Sequence, residues 1–470
     1  MTTILDPVVA VRMLPGGLAD GPIGISEPLL ATAGLVALLR VRRTGWITVG
    51  KDPTFGLAVL FVGVAILSAL VNRTPPSVTV LGIVMTVDAM AVYFVWRLLE
   101  PSPEAAVRAI AALVGAGVVV ALFGIGQAVL APSLLGFERF AIIPGDLGRI
   151  TSILGNPNLL APVLAFLLPF PIFAATRLPG RRVRLVAAGV ALILLVGLIL
   201  TFSRGAWIAA AVGITFGAVV LDWRSAVTAA AISALAIVFV LALPRHILGT
   251  DVDVAARASP TQYPSAGVAS PSPGNGAQPP PTPAPTPDPL RGRTGDEIRL
   301  MFLRDGLRIV AENAVLGVGP GRYGGAAAKI IPSPVYDEYN TTIGRLRTVH
   351  NFWLHLAGEG GVIGVTVFLA ILVSLVARLA RGARAAHGQS FVVLAGAATA
   401  AVIGSVNSGT EMVLEGNIPA VLVWLILGIG AAMVPGWHGA VARRESPDLA
   451  QDPEPYTPSD RGGSSSQEHP

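Results

Sequence analysis

The chain has 470 residues, 53% of them hydrophobic and only 13% charged, with a mean hydropathy of +0.68 and no cysteine. A water-soluble protein carries roughly 25% charged residues, so a soluble multidomain enzyme is excluded. A disulfide scaffold, thiolate-held zinc and a cysteine nucleophile are excluded as well. Nearly all basic residues are arginine, Lys51 and Lys329 being the only lysines. The isoelectric point near 9.9 therefore has to be read from where those arginines sit, and it does not point to nucleic acid.

Residues 1–24 contain Pro7, Pro15, Gly16, Gly17 and Pro22, too broken for a span, and they carry no signal-peptide pattern. They are expected to form an external N-terminal segment. A membrane span needs about 20 mostly apolar residues. Windows of that kind recur at 25–39, 54–71, 77–96, 107–130, 159–176, 185–202, 205–221, 225–243, 353–377, 390–406 and 418–434. These runs are too long and too apolar for porin strands, so they are expected to be helices. The expected architecture is an all-α polytopic transmembrane bundle of about 11–12 spans, with helices 1–8 in 25–243 and helices 9–11 in 350–435.

Orientation follows the short-loop arginines. Arg40, Arg42, Arg43 and Lys51 share one loop, and Arg97 and Arg108 the next on that side. Arg177, Arg181, Arg182 and Arg184, then Arg224, then Arg378, Arg381 and Arg384 continue the alternation. That side is expected to be cytoplasmic. It also receives the 436–470 tail, which holds Arg443 and Arg444 and then reads as disordered.

One external loop is long, 244–349, and has two unlike parts. Residues 259–289 are Pro-, Ser-, Thr-, Ala- and Gly-rich and should form an extended linker. Thr294 and Glu297 then make a T-x-x-E capping box, and 296–313 reads as an amphipathic helix on the outer membrane face, ending in the glycine-rich LGVGPGRYG.

Ionisable groups at span ends or inside spans are costly and mark functional candidates. Four clusters qualify. Arg204, in LTFSRGAW, lies on the external side between two spans joined by almost no loop. Its planar fork of donors suits a diphosphate or a carboxylate; the alternative is a snorkelling arginine. In the loop 131–158, Arg139 and Arg149 precede GNPN, where Asn156 and Asn158 are read as helix caps and Arg149 is open to both an anion-site and a structural role. On the 296–313 helix, Arg304 and Arg308 share a face and Arg299 points about 140° away from Arg304. Finally, in HNFWLHLAGEGGVIG, His350 starts a helix at the external entrance, with Glu359 one turn from His355. His350 can exchange protons or belong to an interfacial aromatic belt with Phe352 and Trp353. A zinc site from His350 and His355 is disfavoured by their spacing of five, and the glycine run is no Walker loop, lacking Gly-Lys-Ser/Thr. No G-x-S-x-G elbow exists for a serine hydrolase.

In order, LTFSRGAWIAAAVG, then RLMFLR and ENAVLGVGPGRY, then HNFWLHLAGEGGVIG resemble the bacterial O-antigen ligase and polymerase family over roughly 145–375. The flanking spans match only in hydropathy. The resemblance implies a GT-C-like, multi-spanning inner-membrane glycosyltransferase. Such a protein takes a glycan from a polyprenyl-diphosphate carrier on the external, periplasmic leaflet and passes it, with inversion and without metal or cofactor, to an acceptor hydroxyl. The implied acceptor is a lipid A core, a growing glycan or a protein, and a chain-length regulator is an implied partner. By position the resemblance implies catalytic roles for Arg204, His350 and Arg299, and substrate-binding roles for Arg149, Arg304, Arg322, Asn351 and Glu359, with Arg304 also a rival placement for the external-helix arginine. Two features depart from it: members have about twelve spans, and the 259–289 insert is unusual.

The chemistry is compatible with this, since fixed guanidiniums stabilise a departing diphosphate. His350 would deprotonate the acceptor hydroxyl or contact phosphate as a cation. A transporter, for instance of inorganic carbon, is the alternative class, but no internal repeat is visible and Asp88 and Gln127 are thin midplane polarity. A protein O-oligosaccharyltransferase differs only in its acceptor.

Overall fold

The computed structural model describes residues 43–129, 149–241, 295–325, 327, 335, 349–416 and 418–434. Among these residues every regular element is helical, and eight helices are long and apolar enough to cross a membrane. The expected span at 25–39, the segment 1–24, Arg139, the insert 259–289, Thr294 of the capping box and the tail 436–470 lie outside the described residues.

In chain order the helices are α1 (Arg43–Gly50), α2 (Pro53–Val71), α3 (Pro76–Leu98), α4 (Pro103–Val129), α5 (Pro157–Leu167), α6 (Pro169–Arg177), α7 (Arg181–Leu200), α8 (Arg204–Phe216), α9 (Arg224–Leu241), α10 (Gly295–Glu312), α11 (Phe352–Ala385), α12 (Gly388–Asn407) and α13 (Ile418–Ala432). Helices therefore occupy ten of the eleven expected windows, and α10 occupies the expected amphipathic one. Proline opens α2 to α6, where its missing N–H costs nothing and its fixed φ suits a first helical turn. Asp52 and Asn156 accept the N–H of Thr54 and Asn158 and so cap α2 and α5.

Burial separates centre from rim. The joined α5–α6 segment and α12 are 78% and 72% buried over their most apolar stretches, against about a third for α2, α3, α4 and α8. They form the middle of the bundle, where Phe166, Phe170, Leu394 and Ile403 pack with Trp424 of α13. On the rim, Val59, Leu60, Leu70, Val80, Val119 and Val373 are exposed, an apolar surface that suits contact with lipid chains.

Successive helices run up and down, which gathers their ends into two groups. One end carries a buried ionic cluster centred on Asp52. Tyr93 donates its hydroxyl to Asp52 Oδ2 at 2.6 Å, and Arg378 donates to Oδ1 at 2.8 Å and also to the hydroxyl of Thr54. Arg97 lies 3.6 Å from Oδ2. Burial opposes ionisation of Asp52, but Arg378, the Tyr93 hydroxyl, the Thr54 N–H and Arg97 outweigh it and hold the carboxyl below its ordinary value. Two arginines expected only to set orientation thus also tie α2, α3 and α11 together.

α11 is not straight. The rings of Phe352 and Trp353 lie 5.0 and 6.1 Å from the ring of Phe368. In a straight helix, fifteen or sixteen residues would separate them by roughly 23 Å. The chain folds back at Gly361, whose φ of 64° and ψ of −167° are non-helical. The freed backbone groups find partners in the 314–319 segment. Val362 N–H donates to Ala314 at 2.8 Å, Val318 N–H to Gly358 at 2.8 Å and Gly319 N–H to Glu359 at 3.1 Å. Broken helices survive at membrane depth only with such replacement bonds. A side chain at Gly361 would run into the backbone of Val315.

Candidate active site

The opposite end of the bundle gathers Arg149, Arg204, Arg299 and His350. Its elements are the α7–α8 turn, the start of α11, the 408–416 segment that follows α12, and α10, which lies against them.

Arg204 is the first residue of α8 and is exposed. Ser203 precedes it as the cap residue, and Phe202 before that sits in the left-handed region at φ 51°. A Cβ added at Gly205 would overlap the Thr410 side chain, so the glycine lets the 408–416 segment lie directly on the start of α8. Arg149 supports the same turn. Its Nε donates to the Thr201 carbonyl at 2.8 Å and its Nη2 to Asn158 Oδ1 at 2.9 Å. Ile150 N–H also bonds Leu200 O at 3.1 Å, so residues 149–158 are tied to the α7–α8 turn. Asn156 and Asn158 are thus a helix cap and a partner for Arg149.

Glu411 forms the centre of the site. Its Oε1 accepts from Arg299 at 3.0 Å, and its Oε2 lies 3.2 Å from His350 Nδ1. A carboxylate accepts, so Nδ1 carries the hydrogen, and in the neutral imidazole Nε2 is the nitrogen with the lone pair. α10 contributes twice, because Phe302, one turn beyond Arg299, stacks on the His350 ring at 6.1 Å with planes 7° apart. His350 is held at φ 50°, a costly backbone conformation for a residue with a Cβ. Phe352 N–H donates to Ser408 O at 2.8 Å and fixes the start of α11 beside the loop that bears Glu411.

Other sequence-selected residues lie elsewhere. Asn351 spends its side-chain oxygen on capping α11, accepting from Leu354 N–H at 3.0 Å. Arg304 is exposed on α10. Arg322 is half-buried and donates to the Val318 carbonyl at 3.4 Å. Glu359 belongs to a separate, fully enclosed cluster: it accepts from Tyr323 N–H at 3.1 Å and lies 3.8 Å from His355, whose Nε2 is 3.0 Å from Glu415. The Tyr323 ring stacks on His355. The glycine-rich 317–321 run sits against α2 and α3, with Asn72 and Ser68 donating to Gly317 O and Leu316 O. Its observed role is to complete the broken helix.

The sequence reading missed Glu411 and Glu415. Both lie in the short GTEMVLEG segment ahead of the last apolar run, and an acid on the expected external side was the available signal. Among the described residues, no group of three or more His, Asp or Glu side chains is arranged to hold a metal ion.

A polytopic helical membrane protein with guanidiniums, an imidazole and a carboxylate converging at one end of its bundle is the class that fold and site define. Residues 189–369 match the family model described as O-antigen ligase, so that stretch of the chain is similar to this family. The matched stretch includes Arg204, Arg299, Arg304, Arg322, His350, Asn351 and Glu359, and excludes Arg149, Glu411 and Glu415. No curated protein matches the chain.

Proposed function

We propose that the protein transfers a glycan from a polyprenyl-diphosphate carrier to an acceptor hydroxyl at the membrane face bearing His350, with inversion and without a metal. The single observation that carries this reading is the Arg299–Glu411–His350 chain beside the start of α8, which combines a base of defined tautomer with fixed cations. His350 Nε2 takes the proton of the acceptor hydroxyl, and the oxygen attacks the anomeric carbon from the side opposite the diphosphate. The bond from that carbon to the phosphate oxygen breaks, and its electron pair leaves with the diphosphate. Arg204 binds the departing charge and Arg149 holds the turn that presents Arg204. Glu411 positions the imidazole and stabilises it once protonated, as the acid of a base–acid pair does. The acceptor, whether lipid core, growing glycan or protein hydroxyl, presents the same group to this base.

The face is external in this reading because the other end carries Lys51, Arg108, Arg181, Arg182, Arg184, Arg224, Arg381 and Arg384. The natural absence of cysteine makes this testable. A membrane-impermeant maleimide added to whole cells should label Arg304→Cys and leave Arg224→Cys unlabelled; the reverse pattern would contradict the orientation. For the chemistry, His350→Ala and Arg204→Ala should each abolish transfer from a polyprenyl-diphosphate-linked glycan while membrane levels persist. Unchanged transfer in both would refute the reading, and solute uptake by vesicles holding only this protein would favour a transporter.

A further inference from the structure

The proposed chemistry uses only one end of the bundle, yet a groove of about 480 Å³ opens on the rim between α8, α11 and α12. Phe216, Val220, Leu369, Val373, Val376 and Val402 are among the residues that line it, so nearly all of its wall is apolar. Its charged lining consists of two guanidiniums, Arg381 and Arg384, at the end remote from His350. Among the described residues, no acidic side chain lines it to neutralise them. Arg384 Nε and Nη2 donate across the gap to the Val220 carbonyl at 3.3 and 3.2 Å, which anchors this exposed guanidinium at the groove mouth. Arg381 Nε donates to Ala377 O one turn back on the same helix, at 3.2 Å.

Dimensions identify the occupant. The apolar lining contributed by α11 runs from Leu369 to Ala380, about 16 Å at ~1.5 Å per residue. A bilayer's hydrocarbon core is about 30 Å thick, so the apolar part matches the depth of one leaflet and places both arginines at its headgroup level. We propose that this groove is a binding site for an anionic glycerophospholipid of the leaflet opposite the candidate active site. An acyl chain lies along Leu369, Val373 and Val376, and the phosphate is held by Arg381 and Arg384. Apolar surface holds the chain, and two guanidiniums with no acidic side chain beside them in the lining favour a headgroup of net negative charge over one whose phosphate is balanced by its own ammonium.

The test is native mass spectrometry of the full-length protein released from vesicles of equal parts phosphatidylglycerol and phosphatidylcholine, with thermal unfolding in each lipid alone. Wild type should retain phosphatidylglycerol at least several-fold over phosphatidylcholine and unfold at a higher temperature in it. Arg381→Gln/Arg384→Gln should abolish the preference, Arg381→Lys/Arg384→Lys should keep most of it, and Val373→Trp should reduce retention of both lipids by filling the groove. If the double glutamine variant fails to fold, Val373→Trp and the lysine pair decide between the outcomes. Equal retention of the two lipids by wild type, an unchanged preference in the glutamine variant, or displacement of phosphatidylglycerol by added polyprenyl phosphate would overturn the proposal.

Discussion

Each end of the bundle places one carboxylate between two nitrogen-bearing side chains, and the two ends differ in exposure. Asp52 bridges Arg97 and Arg378 with side chains 1%, 3% and 18% exposed. Glu411 bridges Arg299 and His350 with side chains 13%, 47% and 45% exposed. In the first cluster the Tyr93 hydroxyl, the Thr54 N–H and Arg378 occupy both oxygens of Asp52, so its carboxylate has little left for a ligand. In the second, the side chains of Arg299 and His350 are each about half exposed and so stay accessible. In the proposed reading the same chemical motif stabilises the fold when buried and serves as a reaction site when it stays half-exposed. This contrast can be broken experimentally from either side.

The largest effects belong to the open cluster. His350→Ala should lower transfer by roughly 10²–10⁴-fold, the range for losing a general base, and Arg204→Ala by about 10²–10³-fold, the range for losing a charge-stabilising donor. Both variants should keep the wild-type unfolding temperature, as measured on purified protein. Glu411→Gln should be milder. A hydrogen bond to a charged group is worth about 1.5–3 kcal/mol, which corresponds to a fall of roughly ten- to a hundredfold in kcat. A fall in Arg299 and His350 variants combined with an unaffected Glu411→Gln would separate the imidazole from its proposed partner.

The closed cluster should behave in the opposite way. Asp52→Asn leaves two buried guanidiniums without their carboxylate, and should cost about 3 kcal/mol of stability while the folded fraction transfers at the wild-type rate. The sign with pH follows from the lowered carboxyl pKa. Ionised Asp52 contributes its full stabilisation above the ordinary aspartate range and loses it as pH falls through the lowered folded-state value. Acid unfolding of the wild type should show that loss, and Asp52→Asn should not. Smallest of all, Asn351→Ala removes a helix cap, at about 1 kcal/mol, and should shift thermal unfolding more than transfer. A loss of transfer comparable to that of His350→Ala would give Asn351 a substrate contact instead.

Most of the helical frame was legible because hydropathy acts locally: ten expected windows carry helices. Arg204, Arg299 and His350 were legible because charge is scarce in this chain and these residues fall on the side where arginine is not expected. Glu411 was not, because its meaning lies in partners 112 and 61 residues away, and no local pattern reports them. The bend in α11 shows a different gap. Glycines at 358, 360 and 361 inside an apolar run hinted at a break, but only the pairing of 314–319 with 358–363 explains how a membrane-embedded chain tolerates it. The glycine-rich GVGPG run drew attention as a phosphate-loop lookalike and supplies that pairing backbone. Arg97 and Arg378 were read for orientation alone, since periodicity does not reveal that Asp52 waits between them.

The central claim, that the open cluster is the reaction site and the closed one is structural, comes down to one measurement. Purified wild-type, His350→Ala and Asp52→Asn proteins would be assayed for transfer from a polyprenyl-diphosphate-linked glycan, with rates normalised to the folded fraction. The expected result is near-background transfer for His350→Ala and a wild-type rate for folded Asp52→Asn. Full activity in His350→Ala, or loss of activity in folded Asp52→Asn, would contradict it.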